Sequence, residues 1–309
     1  MTARWRDVTP TWDGSAATLR GVWPYHTTAW GNLVADVFGG RFRVLHEPDH
    51  GFYAPILVGG SLADDGFLSG HVGYGGFLAP PGIDVSLRAQ AGAVRDLASD
   101  LGIPCRRLVT TPETPRDTAT GAARQTVLVD LTGGADALWA SYEGSVRTAV
   151  RKCSREGLRT RRLGSADVPD AVGLIRATQR RVGAAYEVPE PLIERLACDE
   201  TGFAVIVGCH LGERLLSVGV FLRAAGRAAY LYNGWDPAHA SLGANYLMLH
   251  DAMRVCAGHG DHVLDLGYSH ARGLREFKDR WGGRPATVTV LDRSASTADR
   301  SAQEDELTS

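Results

Sequence analysis

Lysine is nearly missing from this sequence. Of 33 basic side chains only Lys152 and Lys278 are lysines, and the rest are arginines. Each survivor is therefore a position of interest, because a compact, rotatable ammonium can do what the planar guanidinium fork cannot. Cysteine is sparse and unpaired: Cys105, Cys153, Cys198, Cys209 and Cys256 are odd in number and form no Cys-x-x-Cys. That argues against a disulfide framework and a structural zinc site, and leaves small buried apolar residues in a reducing compartment. No apolar run approaches the roughly 20 residues of a membrane helix. The segment Met1 to Asp7 lacks the apolar stretch of a signal peptide. The expected location is the cytoplasm, with no membrane span. Charge of one sign does not dominate either, with 33 basic against 35 acidic residues and a net charge of −2. At 44% hydrophobic and 22% charged the chain is ordinary globular protein. Its 309 residues suggest about two domains at roughly 150 residues each.

The first half is strand-rich and punctuated by glycine. Phe42 to Leu45 and Phe52 to Val58 read as strands, followed by the glycine-laden stretch Gly70 to Phe77. Leu87, Val94, Leu97 and Leu101 predict a helix from Val85 to Leu101 that stops at Gly102. A polar loop over Thr110 to Ala123 precedes a strand from Thr126 to Leu131. The domain boundary is placed at Gly133-Gly134, giving domains 1–134 and 135–292 and a disordered tail 293–309 rich in Ser, Ala and acidic residues. In the second half the pattern predicts helices over Ala135 to Glu156, Val168 to Val182, Pro191 to Cys198, Ser241 to Cys256 and Leu274 to Trp281. Between them come strands at Phe203 to Cys209, Leu215 to Arg223, Arg227 to Tyr232, His262 to Leu266 and Ala286 to Leu291. Helices alternating with a mixed sheet imply an α/β or α+β layered fold. No short tandem repeat is visible.

The helix from Ala135 puts Arg147, Arg151 and Arg155 on one face, opposite Leu138, Tyr142, Val146, Val150 and Cys153. Lys152, Arg159, Arg161 and Arg162 extend the patch, making seven cations against Glu156 alone. Such a row is either a solvated helix face or a footprint for RNA phosphates, and composition leaves both open. The glycine clusters fit neither a Walker loop nor a strand-linked G-x-G-x-x-G, and no G-x-S-x-G elbow occurs. His250, His259 and His262 have no zinc spacing, so no metal is expected.

The sharpest signal runs from Asp265 to Gly283: a strand end, a glycine loop, and a short helix carrying Phe277 and Lys278 before another glycine pair. Together with Leu264-Asp-Leu-Gly267, Tyr230-Leu-Tyr-Asn-Gly234 and the basic helix Arg147 to Gly157, it resembles the Fem-type aminoacyl-tRNA-dependent transferases. In the first half His26 to Trp30 and Tyr74-Gly-Gly76 look like that family's landmarks, so the resemblance spans about Trp23 to Val290. It implies two tandem GNAT-like acyltransferase domains with mixed central sheets and no cofactor. It also implies transfer of an amino acid from aminoacyl-tRNA to an amino group of a small acceptor, forming an amide. The acceptor would be a peptidoglycan precursor or a specialised metabolite such as a peptidyl nucleoside, as in antibiotic biosynthesis.

Carried over by position, the resemblance puts the catalytic pair at Phe277 and Lys278, with the ammonium stabilising the oxyanion formed on the tRNA ester. It puts tRNA phosphates on Arg147, Arg151, Lys152 and Arg155, and the donor end near Tyr232, Asn233 and Asp265. Acceptor contacts fall on Trp30, Tyr74, Tyr186 and Arg181, with Arg180 an equal register for the last. Trp30 is followed by no lysine where some members hold a nucleotide phosphate.

Two other readings compete. One is an acyl-CoA-dependent N-acyltransferase on the same fold, with Ala240-Ser-Leu-Gly-Ala-Asn245 as a phosphate loop in which Ala240 and Asn245 depart from the usual pattern. The other is a non-catalytic RNA-binding protein using the basic helix.

Overall fold

The computed structural model describes residues 4–16, 18–70, 72–115, 122–184, 186–269 and 272–292. The chain divides into two compact units, Met1–Arg124 with Thr287–Ser309, and Gln125–Ala286. The division falls ahead of the glycine pair at 133–134. Strand β6 (Ala122–Asp130) is already paired into unit 2, and the chain after Ala286 returns to unit 1. The expected disordered tail and part of the expected polar loop lie outside the described residues.

Unit 1 carries strands β1 (Arg6–Asp7), β2 (Arg41–Glu47), β3 (Phe52–Val58), β4 (Phe67–Ser69) and β5 (Cys105–Val109). Its helices are α1 (Trp12–Ala16), α2 (Thr28–Phe38), α3 (Gly60–Ala63) and α4 (Leu87–Leu101). Strands β1 to β4 pair in sequence order and antiparallel, whereas β4 and β5 are parallel. A parallel pair needs a crossover, and α4 supplies it. It starts on the Ser86 side chain, which accepts from Ala89 N, and ends at Gly102 in the left-handed region. The last residues of strand β12 (Arg284–Asp292) pair antiparallel with β5, with Val290 opposite Val109. Ile56, Phe67, Phe77, Leu97 and Leu108 form its core.

Unit 2 repeats that plan. After β6 come α5 (Gly134–Ser141), α6 (Gly144–Arg155), β7 (Arg159–Arg162), α7 (Val168–Arg181) and α8 (Glu190–Ala197). They are followed by β8 (Ala204–Leu211), β9 (Arg214–Ala224), β10 (Arg227–Trp235), α9 (Ala244–Gly258), β11 (Val263–Asp265), α10 (Arg272–Asp279) and β12 (Arg284–Asp292). Strands β7 to β10 pair antiparallel in sequence order, β10 and β11 are parallel, and α9 is the crossover. β6 lies antiparallel to β11. Buried Phe221, Met248, Met253, Leu264 and Trp281 anchor the core, each large side chain contributing about 1.5–3 kcal/mol by leaving water.

The single helix expected over Ala135 to Glu156 is two. Tyr142 adopts extended backbone geometry at the end of α5, and Glu143 N bonds to Arg280 O at 2.9 Å. The cause is packing: the Tyr142 ring is fully buried and meets the Trp281 ring edge-on at 4.9 Å, and a Cβ on Gly282 would stand 2.4 Å from Ser141 O. The cysteines are all free thiols, but Cys198 is exposed at the end of α8, unlike the four buried ones. Among the described residues no helix is long and apolar enough to cross a membrane, and no group of three candidate ligands could hold a metal.

Candidate active site

Strand β10 pairs with β9 from Arg227 to Trp235, with a register slip between Tyr230 and Tyr232. Its parallel pairing with β11 covers only Arg227 to Ala229 against Val263 to Asp265. Past Asp265 the chain stays with β6, Leu266 N bonding Val127 O at 2.9 Å and Ser269 N bonding Gln125 O at 3.0 Å. The two central strands of unit 2 therefore part beyond Ala229, and a bulge of this kind bends the strand that carries it. Gly267 makes the turn possible. Its φ is +74°, and a Cβ there would stand 3.1 Å from Tyr230 O.

The loop after β11 is fastened by buried charge. Asp265 is 1% exposed and accepts from Gly267 N at 2.9 Å and from Thr126 Oγ1. Thr126 Oγ1 also lies 2.8 Å from Gly267 O, so its one proton serves one of two acceptors at a time. From α10, Lys278 Nζ donates to Gly267 O at 2.8 Å and Tyr268 O at 2.6 Å. Lys278 is only 5% exposed. Burial pulls its pKa down to about 8, and the Asp265 carboxylate opposes that fall. Two of the three ammonium donors are accounted for. The neighbouring Phe277 turns the other way, edge-on to Tyr246 at 5.1 Å and to Trp281 at 5.9 Å. Phe277 thus holds α10 on the core while Lys278 holds the loop.

Further along β10, Tyr232 Oη and Tyr186 Oη are 2.8 Å apart, and Asn233 lies opposite Gly219 of β9. The Arg181 guanidinium stacks on Trp235 at 4.2 Å, and its Nη2 donates to Thr178 Oγ1 at 3.2 Å. Arg180 instead pairs with Glu187 at 2.7 Å. Only Arg181 of the two arginines thus lies against β10.

The sequence-nominated cations separate. Arg147 donates to Tyr142 O and, at 3.3 Å, to Ala140 O, and Lys152 Nζ donates to Ser241 O at 2.8 Å. Arg151 lies over the Trp139 ring at 5.2 Å, and Arg155 is exposed. Arg159, Arg161 and Arg162 sit on β7 and are occupied locally, Arg161 by Asp167 and the other two by backbone carbonyls. In unit 1, Trp30 and Tyr74 are core rings at 4% and 2% exposure, both edge-on to Tyr25. They line a small cavity of about 40 Å³. Thr126 has no local signal in the sequence, since its carboxylate partner Asp265 stands 139 positions away.

Residues 140–279 match the family model of the acetyltransferase (GNAT) domain. No curated protein sequence matches the chain. Among solved structures, FemX is similar over 93% of this chain and 97% of its own, at 14% identity and a TM-score of 0.64. A domain assigned as the C-terminal part of a lysylphosphatidylglycerol synthetase from Agrobacterium fabrum is similar over 90% of each chain, at 14% identity and a TM-score of 0.51. The Saccharomyces cerevisiae N-myristoyltransferase with bound myristoyl-CoA is similar over 94% of this chain and 82% of its own, at 10% identity and a TM-score of 0.53. The repeated sheet plan, the parted strands of unit 2 and these likenesses together give the chain a Fem-like, GNAT-type acyltransferase fold.

Proposed function

We propose that the protein is an aminoacyltransferase that moves an amino acid from aminoacyl-tRNA to an amino group of a small peptide-like acceptor. The acceptor is a specialised metabolite such as a peptidyl nucleoside, or a peptidoglycan precursor. The observation that carries this reading is the buried Lys278 ammonium fastened to the loop where β10 and β11 part. An acyl ester lying in that opening has its carbonyl beside a positive charge in a water-poor site. As the acceptor amine attacks, the carbonyl oxygen becomes an oxyanion, which the ammonium stabilises. Collapse forms the amide and expels the ribose hydroxyl, which keeps the proton that the amine loses. The ester is already activated, so little general-base power is needed. Tyr232, Asn233 and Asp265 frame the donor end, and Tyr186 and Arg181 serve the acceptor, Arg181 through an anionic group.

A second reading, an acyl-CoA-dependent N-acyltransferase, is favoured by the N-myristoyltransferase likeness, whose structure holds myristoyl-CoA. Against it, Ala240 and Asn245 replace two key positions of the phosphate loop. Purified enzyme assayed in parallel with charged tRNA and with acyl-CoA decides between them. RNase-sensitive amide formation is expected. RNase-insensitive turnover of acyl-CoA overturns the tRNA reading, and no turnover with either donor leaves an RNA-binding role.

A further inference from the structure

A groove of about 880 Å³ lies between α6 and α9 of unit 2. Its lining brings Arg151 and Arg155 of α6 to Arg254 of α9, with Trp139 and Asp251 beside them. Three guanidinium groups face one carboxylate, in a chain whose net charge is −2. That carboxylate is occupied: Asp251 Oδ2 accepts from Thr160 Oγ1 at 2.5 Å, and Oδ1 from Arg254 at a long 3.3 Å. Stacking on Trp139 orients Arg151 without neutralising it. Among the described residues Arg155 has no ion pair, and it stands one helical turn, about 6 Å, along α6 from Arg151. Cations spaced along an open groove match a chain of phosphates, not an apolar or singly charged ligand.

We propose that this groove holds the sugar–phosphate backbone of the donor RNA, with Arg151, Arg155 and Arg254 on its phosphates. The inference rests on the aminoacyl-tRNA reading above. It deepens that reading by adding Arg254, which no sequence pattern nominates. It also sets aside Arg147 and Lys152, neither of which lines the groove.

The test is binding of deacylated tRNA, measured by fluorescence anisotropy over a range of salt concentrations. Arg155→Ala and Arg254→Ala each lower the log–log salt slope by about 0.7–0.9, the share of one phosphate contact. Thr148→Glu, which adds a carboxylate to the groove lining, weakens binding by roughly tenfold without removing an arginine. Arg41→Ala, a charge-matched change on β2, leaves the slope unchanged. Thermal melts confirm that each variant is folded. If charged tRNA supports turnover while all three groove variants keep the wild-type slope, the groove inference is overturned and the function stands. If the wild-type protein binds no tRNA and uses acyl-CoA, both fall together.

Discussion

The Lys278 ammonium donates to the carbonyl oxygen of Gly267 at 2.8 Å, so α10 is tied to the turn at which β11 leaves β10. A second bond to Tyr268 O at 2.6 Å makes the tie two-pronged. The lysine is thus both a charge at the parted strands and a fastening of the loop that borders them, and its removal has two consequences.

Lys278→Ala is expected to cut turnover by about 10² to 10³, the scale for losing one preformed oxyanion-stabilising donor. Lys278→Arg should rescue poorly, because a planar fork does not reproduce a point charge in a buried site. Full activity of Lys278→Ala with charged tRNA would remove the residue from the mechanism. Because the side chain is buried, the alanine variant also loses stability, on the order of 2–5 kcal/mol for truncating a long buried side chain. Denaturant titration measures that loss separately from kcat.

Activity and stability should respond to alkaline pH in opposite directions. With its pKa pulled down to about 8, Lys278 is protonated at pH 7 and loses its charge as the pH passes that value. Turnover therefore falls above about pH 8. Between that value and the ordinary lysine value the unfolded chain holds more protons than the folded one, so this residue's contribution to stability rises with pH. Melting temperatures from pH 7 to 10 should show that rise in the wild type and lack it in Lys278→Met. An identical pH dependence in both would refute the assignment.

Gly267→Ala forces a β-carbon into the left-handed region and to within 3.1 Å of Tyr230 O. Strain of this kind costs about 1–3 kcal/mol. The expected result is a lower denaturation midpoint with a reduced kcat, since the loop that Lys278 grips is displaced. A variant that melts and turns over like the wild type would show that the turn is not tightly held.

Arg181→Ala should raise the KM of the acceptor with little change in kcat, because the residue lies against Trp235 and not at the Lys278 loop. Arg180→Ala, which removes only the pair with Glu187, should leave that KM unchanged. Equal effects of the two substitutions would place neither at the acceptor.

Much of both units is written in their local pattern. The predicted strand Phe52 to Val58 matches β3, and the helices from Val85 and Val168 differ from α4 and α7 by two residues or fewer at either end. Apolar spacing at period 2 or 3.6 reports which face is buried, and that is a property of neighbours in the chain. The scarcity of lysine likewise singles out Lys278. What folding alone decided is long-range. The break at Tyr142 depends on Trp281 and Gly282, and the burial of Lys278 depends on a loop that the chain laid down ten residues earlier. The shared plan of the two units, antiparallel strands followed by a helical crossover to a parallel strand, left no repeat in the sequence. Many sequences satisfy one set of strand pairings, because pairing is made by backbone groups that every residue carries.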